Sequence, residues 1–524
     1  MKKISIFTLV FIVFILIFTS CNVPSGITNK ALSVASGTSY YVSPTGLDTN
    51  PCSLSAPCKT FQKVNTLLVA GDIVYLRGGT YTERLVITKS GISGAFITFS
   101  AYLNEKPILD GTNVSFSSGG LVDIRNNSYI RIKGLTVYNS PQNAIYVHTA
   151  KNIEIIDNKT DSSRAVSGIG VWWSDQVLVS RNIVANSHTL SIPDGGHEES
   201  ISIAGTTNFE VSYNEVYIDS AHYAHYGNLA IDCKQGARFG SVHHNYIHDY
   251  VNDNQGGTGG IYVDAWDRLT GNIDIYNNYI KNSAVGIDIS SERGGTTENV
   301  RVFNNIIYNV NFAPILIPQR PAPYNYGIRR NIEIYNNTIY KVKFNGGAGI
   351  YITAVNISNI TVRNNLVYMN GYNGEIVAGT SAQLPFIKAD HNLVFGPKNC
   401  SQEYPNCVEI SNNPPGYPDI YGNATGDPKF ISLTIPDFHL QSTSPAINFG
   451  VPISIVTTDY DGKSRPQGIG YDAGAFEYGE VATPTPTATF TPTPTKTPTP
   501  TPIVTRECIP VAFKDGTRIT VCKP

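Results

Sequence analysis

The hydrophobic pattern of this chain is a short alternating run that ends in asparagine and recurs along much of the sequence. Eight runs place apolar residues at alternate positions, and they end at Asn158, Asn182, Asn214, Asn245, Asn278, Asn305, Asn337 and Asn365. These residues are 24, 32, 31, 33, 27, 32 and 28 positions apart, which is the spacing of a structural repeat. A period of two predicts strands rather than helices. Short strands in a coil-sized repeat, with stackable Asn residues at one turn, predict an all-β parallel β-helix of about ten to eleven coils.

The N-terminus reads as an export signal. Lys2 and Lys3 precede an apolar run over residues 4–18, and small residues then lead to Cys21. This order predicts a lipoprotein-type signal peptide over residues 1–21 with Cys21 as the lipidated residue. The alternative is simple secretion in which Cys21 has no role.

The remaining chain divides by composition. We expect a flexible lead over residues 22–37, the parallel β-helix domain with its N- and C-terminal caps over 38–478, a Pro/Thr-rich linker over 479–505 and a small disulfide-closed hairpin over 506–524. Residues 55–68 place apolar side chains on one helical face, which predicts an N-terminal capping helix over the open end of the first coil.

Charge and cysteine content indicate which partners and which cellular compartment to expect. The 524 residues carry a net charge of −2, and 15% of them are charged, so the chain lacks the basic surface of a nucleic-acid-binding protein. The local pairs Cys52/Cys58, Cys400/Cys407 and Cys508/Cys522 suit an oxidising compartment, and Cys233 is predicted to be a buried thiol. We therefore expect an extracellular or cell-surface lipoprotein, a monomer, with no nucleic-acid partner and membrane contact only through a lipid anchor.

Two stretches resemble a known group of proteins. One is Tyr40-Tyr41-Val42-Ser43-Pro44-Thr45-Gly46, followed by Ala70-Gly71-Asp72 and Leu76-Arg77-Gly78-Gly79-Thr80-Tyr81. The other includes Asp437-Phe438-His439-Leu440 and Asp472-Ala473-Gly474-Ala475-Phe476-Glu477. They resemble extracellular right-handed parallel β-helix proteins of the pectate-lyase-like superfold, which include polysaccharide lyases. The resemblance implies a single-stranded right-handed parallel β-helix and export. It leaves the reaction open, because members include lyases, hydrolases and epimerases.

One strand of each coil can be aligned, and its outward positions form two columns. The first column is Tyr146, Gly170, Ser202, Asp232, Tyr262, Asp288 and Tyr351; the second is His148, Trp172, Ala204, Lys234, Asp264, Ser290 and Thr353. Because neighbouring coils lie about 4.8 Å apart, Asp232, Lys234, Asp264 and Asp288 should share one patch. We predict this patch as the catalytic site, with Tyr262 beside it.

Long loops precede the same strand in three successive coils. They span residues 186–199, 219–228 and 248–259 and should form the wall of a groove. His197, Glu198, Asn228 and His225 are predicted to contact substrate from this wall.

The resemblance supplies one mechanism for the patch. In calcium-dependent β-helix lyases a Lys removes the proton beside a uronate carboxylate, while acids hold Ca²⁺. By that likeness Lys234 is the base of a β-elimination and Asp232, Asp264 and Asp288 are metal ligands. A polysaccharide containing uronate would be the substrate, and Tyr262 or a wall His would protonate the leaving oxygen.

The residues themselves allow two other functions. Paired carboxylates among Asp232, Asp264, Asp267 and Asp288 fit a glycoside hydrolase, whose carboxyl separation decides between retention and inversion. Trp266 is predicted to stack on a sugar or to pack over a turn. The third possibility is a carbohydrate-binding surface protein without catalysis.

Overall fold

The structure is a computed structural model that describes ten segments of the chain. They are residues 37–189, 199–222, 228–250, 259–323, 326–342, 347–368, 374–396, 406–479, 508–512 and 518–522. In these segments no helix is long and apolar enough to cross a membrane. The predicted signal peptide, the flexible lead and most of the Pro/Thr-rich linker lie outside them.

Three long sheets run along the molecule, and the chain visits them in turn. Sheet A has 14 strands: Ser39–Val42, Ile73–Leu76, Ile97–Ala101, Ser128–Lys133, Lys151–Ile156, Asp175–Ser180, Thr207–Ser212, Arg238–His243, Leu269–Tyr276, Thr296–Phe303, Ile328–Tyr335, Ile357–Arg363, Ile387–Asp390 and Ile420–Tyr421. All of its neighbouring strands are parallel.

Sheets B and C complete each coil. Sheet B has 13 strands: Gly79–Tyr81, Pro107–Asp110, Thr136–Tyr138, Lys159–Asp161, Ile183–Ala185, Glu215–Tyr217, Tyr246–Tyr250, Tyr279–Ser283, Ile306–Val310, Thr338–Val342, Leu366–Tyr368, Leu393–Phe395 and Ala424–Thr425. Sheet C has 12 strands: Leu85–Val86, Gly120–Arg125, Asn143–His148, Ile169–Trp172, Glu199–Ala204, Leu229–Lys234, Gly259–Asp264, Val285–Ser290, Ala313–Ile317, Ile350–Ile352, Ile376–Ala378 and Val408–Glu409. The last strand of sheet C is antiparallel to its neighbour.

The architecture confirms the predicted all-β right-handed parallel β-helix, with about 11 turns. Alternate Val and Ile side chains of all three sheets point inward and form one continuous core, as at Ile231, Ile261 and Ile287. The intervening side chains point outward, so each sheet presents a row of residues from successive coils.

Asparagine occupies the turn between sheets A and B. The ladder begins with Asn158 and continues through the predicted positions to Asn392 and Asn423, two coils beyond the last predicted member. From Asn158 to Asn392, each side-chain Nδ2 donates to Oδ1 of the Asn on the next coil at 2.8–3.1 Å. It also donates to a backbone carbonyl of the preceding coil, as from Asn305 to Ile275 at 2.9 Å. Stacked amides therefore satisfy the buried turn.

The predicted capping helix is wrong in extent. Only Phe61–Asn65 is α-helical, and Thr60 caps it by accepting from the Lys63 N–H. Residues 52–58 are held instead by the Cys52–Cys58 disulfide, which leaves too few residues for the longer helix. Two short 3₁₀ helices, Ser381–Phe386 and Ile410–Asn412, are the other helical segments in the part of the chain that is described.

The remaining strands form two antiparallel hairpins. Phe430–Ser432 pairs with Asp437–Leu440, and Cys508–Ala512 pairs with Arg518–Cys522, with Cys508 opposite Cys522 in register. Cys407 is disulfide-bonded, and its predicted partner Cys400 lies outside the described segments. Cys233 is a buried free thiol, as predicted.

Candidate active site on sheet C

The strand register places the predicted columns side by side on sheet C. Ser202, Asp232, Tyr262 and Asp288 are consecutive partners, and so are Ala204, Lys234, Asp264 and Ser290. The prediction omitted one coil, because the strand Ala313–Ile317 begins with Ala-Pro and does not match the aligned pattern; it places Leu316 between Asp288 and Tyr351. The four predicted charged residues therefore lie on three successive coils of one face.

Lys234 is bound by two carboxylates. Its ammonium contacts Glu199 and lies 3.4 Å from Asp232 Oδ2. The Lys234 side chain is 16% exposed, whereas both acids are 2% exposed. Burial raises the pKa of Asp232 well above its ordinary value, although the charge of Lys234 opposes that shift. The ion pairs favour the charged ammonium, which is the opposite of what a general base requires.

Asp288 belongs to a second cluster around Arg320. The guanidinium lies 3.6 Å from Asp288 and 3.6 Å from Glu292, and its Nε donates to Ser290 Oγ at 2.6 Å. Burial raises the pKa of Asp288 to about 7, with the charge of Arg320 opposing it. A wholly buried arginine, Arg329, donates to the Pro318 carbonyl at 2.6 Å and fixes the segment that carries Arg320.

Tyr262 joins this second cluster from the neighbouring strand. Its hydroxyl donates to Glu292 at 2.6 Å and also contacts the Arg320 guanidinium. Burial raises the pKa of Tyr262 well above its ordinary value. The phenol therefore keeps its proton and is positioned as a hydrogen-bond donor.

Asp264 lies between the two clusters. It is 1% exposed, and its Oδ1 accepts from the Glu292 N–H at 2.8 Å. Burial, followed by the charge of Glu292, raises the pKa of Asp264 to about 6. The Glu292 side chain itself is 38% exposed. A buried carboxyl whose pKa is raised towards neutrality is suited to act as a general acid.

The other predicted site residues do not belong to either charged cluster. Asn228 is buried and its Oδ1 lies 3.2 Å from His188 Nδ1, so it acts within the loop base. Asp267 is exposed and paired with Arg268 at 3.0 Å. Trp266 lies under the Arg293 guanidinium, 4.3 Å from ring centroid to Cζ, which is a packing contact.

Three predicted substrate contacts cannot be placed. His197, Glu198 and His225 lie outside the described segments, as do most of the predicted wall loops. Their role as a groove wall stays a prediction.

Three residues of the two clusters were missed by the sequence reasoning. Glu199 was passed over for Glu198, and Glu292 and Arg320 follow strands rather than lie within them. Glu292 carries a findable signal, since it comes four positions after Asp288, just beyond the strand that ends at Ser290. Arg320 has none, because its strand was not aligned.

The three aspartates do not fit a calcium site as arranged. Ca²⁺ takes six to eight oxygen ligands that converge on one point. Asp232 faces Lys234, Asp288 faces Arg320, and Asp264 accepts a backbone N–H. Across the described segments no three His, Cys, Asp or Glu side chains are placed to hold a metal ion. Calcium binding by these residues is therefore not supported.

Comparison with known proteins places the chain among its relatives. Residues 40–313 match the family described as "Pel9A-like, right handed beta helix region". The chain belongs to this family. It is 29% identical to the uncharacterized protein YwoF of Bacillus subtilis (strain 168) over 324 residues, which cover 55% of this chain and 66% of YwoF. It is 32% identical to pectate lyase PEL9 of Emericella nidulans over 125 residues, 21% of this chain and 30% of that lyase.

A solved structure confirms the fold of this Pel9A-like chain. The crystal structure of pectate lyase Pel9A superimposes with a TM-score of 0.53 at 16% identity and covers 85% of this chain and 98% of Pel9A. At that identity the likeness concerns the fold. The chain spans less than two thirds of either curated relative.

Proposed function

We propose that this Pel9A-like protein is exported and cleaves glycosidic bonds of a polysaccharide at the sheet C face. The proposal rests on the neighbouring carboxylic acids Asp264 and Glu292. Burial raises the pKa of Asp264 to about 6, so it can hold and donate a proton. Glu292 is more exposed and is held by Tyr262 and Arg320.

The geometry supports hydrolysis best. Asp264 would protonate the leaving glycosidic oxygen, and Glu292 would act as the base or nucleophile on the sugar. Tyr262 and Arg320 would fix the Glu292 carboxylate. The two clusters carry five acids and two cations, Lys234 and Arg320, and this excess of acids suits a neutral sugar better than a polyuronate.

β-Elimination is the second candidate, and two observations favour it. The family is named for Pel9A, and the matched curated relatives include pectate lyases. Lys234 also lies on the outward face in register with Asp264. As the base, Lys234 would have to lose a proton and leave Glu199 and Asp232. Its role as the base and the participation of Ca²⁺ stay predictions.

One assay separates these reactions. The protein is incubated with xylan, mannan, galactan and polygalacturonate, with calcium and then with a chelator. Reducing ends and the ultraviolet absorbance of unsaturated uronate are both measured. Hydrolysis gives reducing ends without absorbance, and β-elimination gives both.

Asp264→Asn is the decisive variant. Because Asn cannot donate the proton, we expect a loss of about 10²–10⁴-fold in rate with the fold unchanged. Glu154→Gln is the matched control, since Glu154 is a carboxylate on sheet A paired with Arg131. Full activity in Asp264→Asn, or absorbance that requires Lys234, would refute hydrolysis at this pair. The absence of any cleavage would favour the carbohydrate-binding alternative.

A further inference from the structure

Two adjacent tryptophans lie on the same face as the candidate active site. Trp172 ends a strand of sheet C, and Trp173 follows it directly; we call them the tryptophan pair. Trp172 occupies the outward column that continues through Ala204 and Lys234 to Asp264, one coil at a time. Since neighbouring strands lie about 4.8 Å apart, these three steps amount to about 14 Å along the axis of the β-helix. The proposed reaction uses neither tryptophan.

Both indoles lie over small residues of the next coil. The Trp172 Nε1 donates to Ser202 Oγ at 3.2 Å. Ser202 and Ala204 face outward, yet they are 0% and 3% exposed, so neighbouring side chains cover them, and the indole bonded to Ser202 is part of this cover. The Trp173 ring lies against Gly205, where an added Cβ would collide with it. The small residues therefore let the indoles rest on the sheet.

The backbone of Trp173 is in an unusual conformation for a bulky residue. Its φ is 53°, which is the left-handed region that Gly and Asn adopt most readily. The residues in the equivalent position after Arg125 and Ala204 are Asn126 and Gly205, with φ of 58° and 59°. A large side chain at such a position costs free energy, and residues of this kind concentrate at functional sites.

The tryptophan pair keeps a surface open to solvent. Trp173 is 40% exposed, and Trp172 is half-buried. Tyr146 meets the Trp172 indole at 84° with 5.3 Å between centroids, and Arg268 Cζ lies 5.2 Å from the Trp173 ring centroid. In the described part of the chain no aromatic ring stacks parallel to either indole.

The aromatic row of sheet A shows how a fully packed ring differs. Tyr276 lies between His243 and Phe303, with centroid distances of 4.6 and 4.9 Å and interplanar angles of 13° and 4°. Both faces of that ring are covered, so it serves the fold alone. The indoles have the sheet on one side, and their exposed surface lies on the other.

The surroundings of the tryptophan pair carry little free charge. Burial, followed by the charge of Arg125, lowers the pKa of His148, so this imidazole is neutral at pH 7. Arg268 is paired with Asp267 at 3.0 Å. A pyranose ring has faces made of C–H groups and hydroxyls around its rim, so it fits a flat aromatic surface bordered by polar side chains.

We propose that the tryptophan pair is a distal sugar-binding subsite, which holds a pyranose unit of the polysaccharide about three coils from the cleaved bond. The polymer would lie along the axis of the β-helix, across the ends of successive sheet C strands, from the pair past Lys234 to Asp264. The distance to the cleaved bond rests on the proposed function. The binding of sugar by the two indoles does not depend on it.

Intrinsic fluorescence reports directly on this subsite, because the chain has three tryptophans. The full chain with Asp264→Asn and Trp266→Phe serves as the background. The first change keeps the polymer intact, and the second leaves the tryptophan pair as the emitters while retaining a ring under Arg293. The protein is titrated with xylan, mannan, galactan and polygalacturonate. We expect at least one of these polymers to change the emission.

Affinity gel electrophoresis with the same polymers measures the contribution of each indole. Trp173→Gly removes the exposed ring and suits the left-handed φ. Trp172→Phe keeps a ring above Ser202 but removes the Nε1–H and part of the flat surface. Phe239→Gly is the matched control, because Phe239 is 55% exposed, has a φ of 59° and lies 5.9 Å from Arg238 Cζ, but belongs to sheet A.

We expect Trp173→Gly to weaken retardation about fivefold, the scale of one lost aromatic contact. Trp172→Phe should weaken it less, and Phe239→Gly should leave it unchanged. Unchanged retardation in both tryptophan variants, an equal loss in Phe239→Gly, or no polymer that alters the fluorescence would overturn the proposal.

Kinetics separate the subsite from the proposed reaction. With Asp264 intact, Trp173→Gly should raise KM for the polymer and leave kcat nearly unchanged, since the indole binds the substrate and the transition state alike. If the wild type cleaves nothing but Trp173→Gly still weakens binding, only the enzymatic proposal fails. If the wild type cleaves the polymer and both tryptophan variants bind it as tightly as the background, only the subsite fails.

Discussion

The Asn ladder and the charged face of sheet C repeat with the same coil spacing, yet they differ in whether their buried side-chain polar atoms have hydrogen-bond partners. Each ladder amide from Asn158 to Asn392 donates to the next coil, and no described member of the ladder has an unpartnered buried side-chain atom. On sheet C the atoms Glu199 Oε2, Asp232 Oδ1 and Asp288 Oδ1 are buried without hydrogen-bond partners.

This difference separates the two kinds of repeat. A repeat in which each group satisfies its neighbour needs nothing outside the protein, and its role is to hold the turns. The other repeat changes residue type from coil to coil and leaves buried carboxylate oxygens without hydrogen bonds, which lowers the stability of the fold. Such arrangements concentrate at functional sites.

Removing the ammonium of Lys234 should cause the largest loss of stability. Lys234→Met leaves Glu199 and Asp232 buried without their cation, and breaking a buried pair in this way costs about 3–5 kcal/mol in the free energy of unfolding. Urea denaturation of the full chain measures the loss.

A compensated variant shows whether charge balance is the cause. Lys234→Met combined with Glu199→Gln and Asp232→Asn removes the cation and both acids together, and stability should largely return. If the triple variant stays as unstable as Lys234→Met, the side-chain volume of Lys234 matters more than its charge. If cleavage returns with stability, Lys234 is not a catalytic base.

A ladder residue should behave differently, because no second change can compensate for it. Asn305→Ala leaves the Asn278 amide without its acceptor and the Ile275 carbonyl without its donor. We expect a cost of about 2–4 kcal/mol, since each unsatisfied buried group costs roughly 1–3 kcal/mol. Thermal and urea unfolding provide the measurement.

The control for the ladder is an asparagine of a half-buried outer column on sheet A. Asn299→Gly keeps the positive φ of that strand position and removes only the bonds with Asn272 and Asn331. Its cost should stay below about 1 kcal/mol. Equal costs at Asn299 and Asn305 would show that turn conformation, rather than amide pairing, dominates.

The sequence predicts the ladder and the columns well because both depend on local alternation. Side chains of period two in a fixed coil must stack, so Asp232, Tyr262 and Asp288 fall in register. Asn392 and Asn423 escaped detection because their preceding strands are short, Ile387–Asp390 and Ile420–Tyr421.

The candidate site was predicted less completely, because one residue of irregular pairing changes which side chain faces outward. Glu199 pairs with Leu229, and the next paired residue is Ile201. Ser200 and Ile201 are both buried, and the Ser200 hydroxyl contacts Tyr250 inside the coil. Simple alternation therefore selects Glu198, whereas the irregularity directs Glu199 towards Lys234. A pattern of apolar residues alone does not reveal such a shift.

A smaller effect than the losses at Lys234 and Asn305 is a dependence of stability on pH that only the charged face should show. Burial raises the pKa of Asp288 to about 7, so between about pH 4 and 7 the folded state binds a proton that the unfolded chain has lost. Stability from this group is therefore present at low pH and is lost as the pH rises through 7. Asp288→Asn removes the titration. The free energy of unfolding of the variant, relative to that of the wild type, should therefore rise by about 1–3 kcal/mol between pH 4 and pH 8. Asn305→Ala carries no titrating change and should differ from the wild type by the same amount at both values. Urea denaturation of the three proteins at pH 4, 6 and 8 tests this, and a constant difference for Asp288→Asn would mean that Arg320 keeps Asp288 ionised, which would remove the contrast between the two regions at that residue.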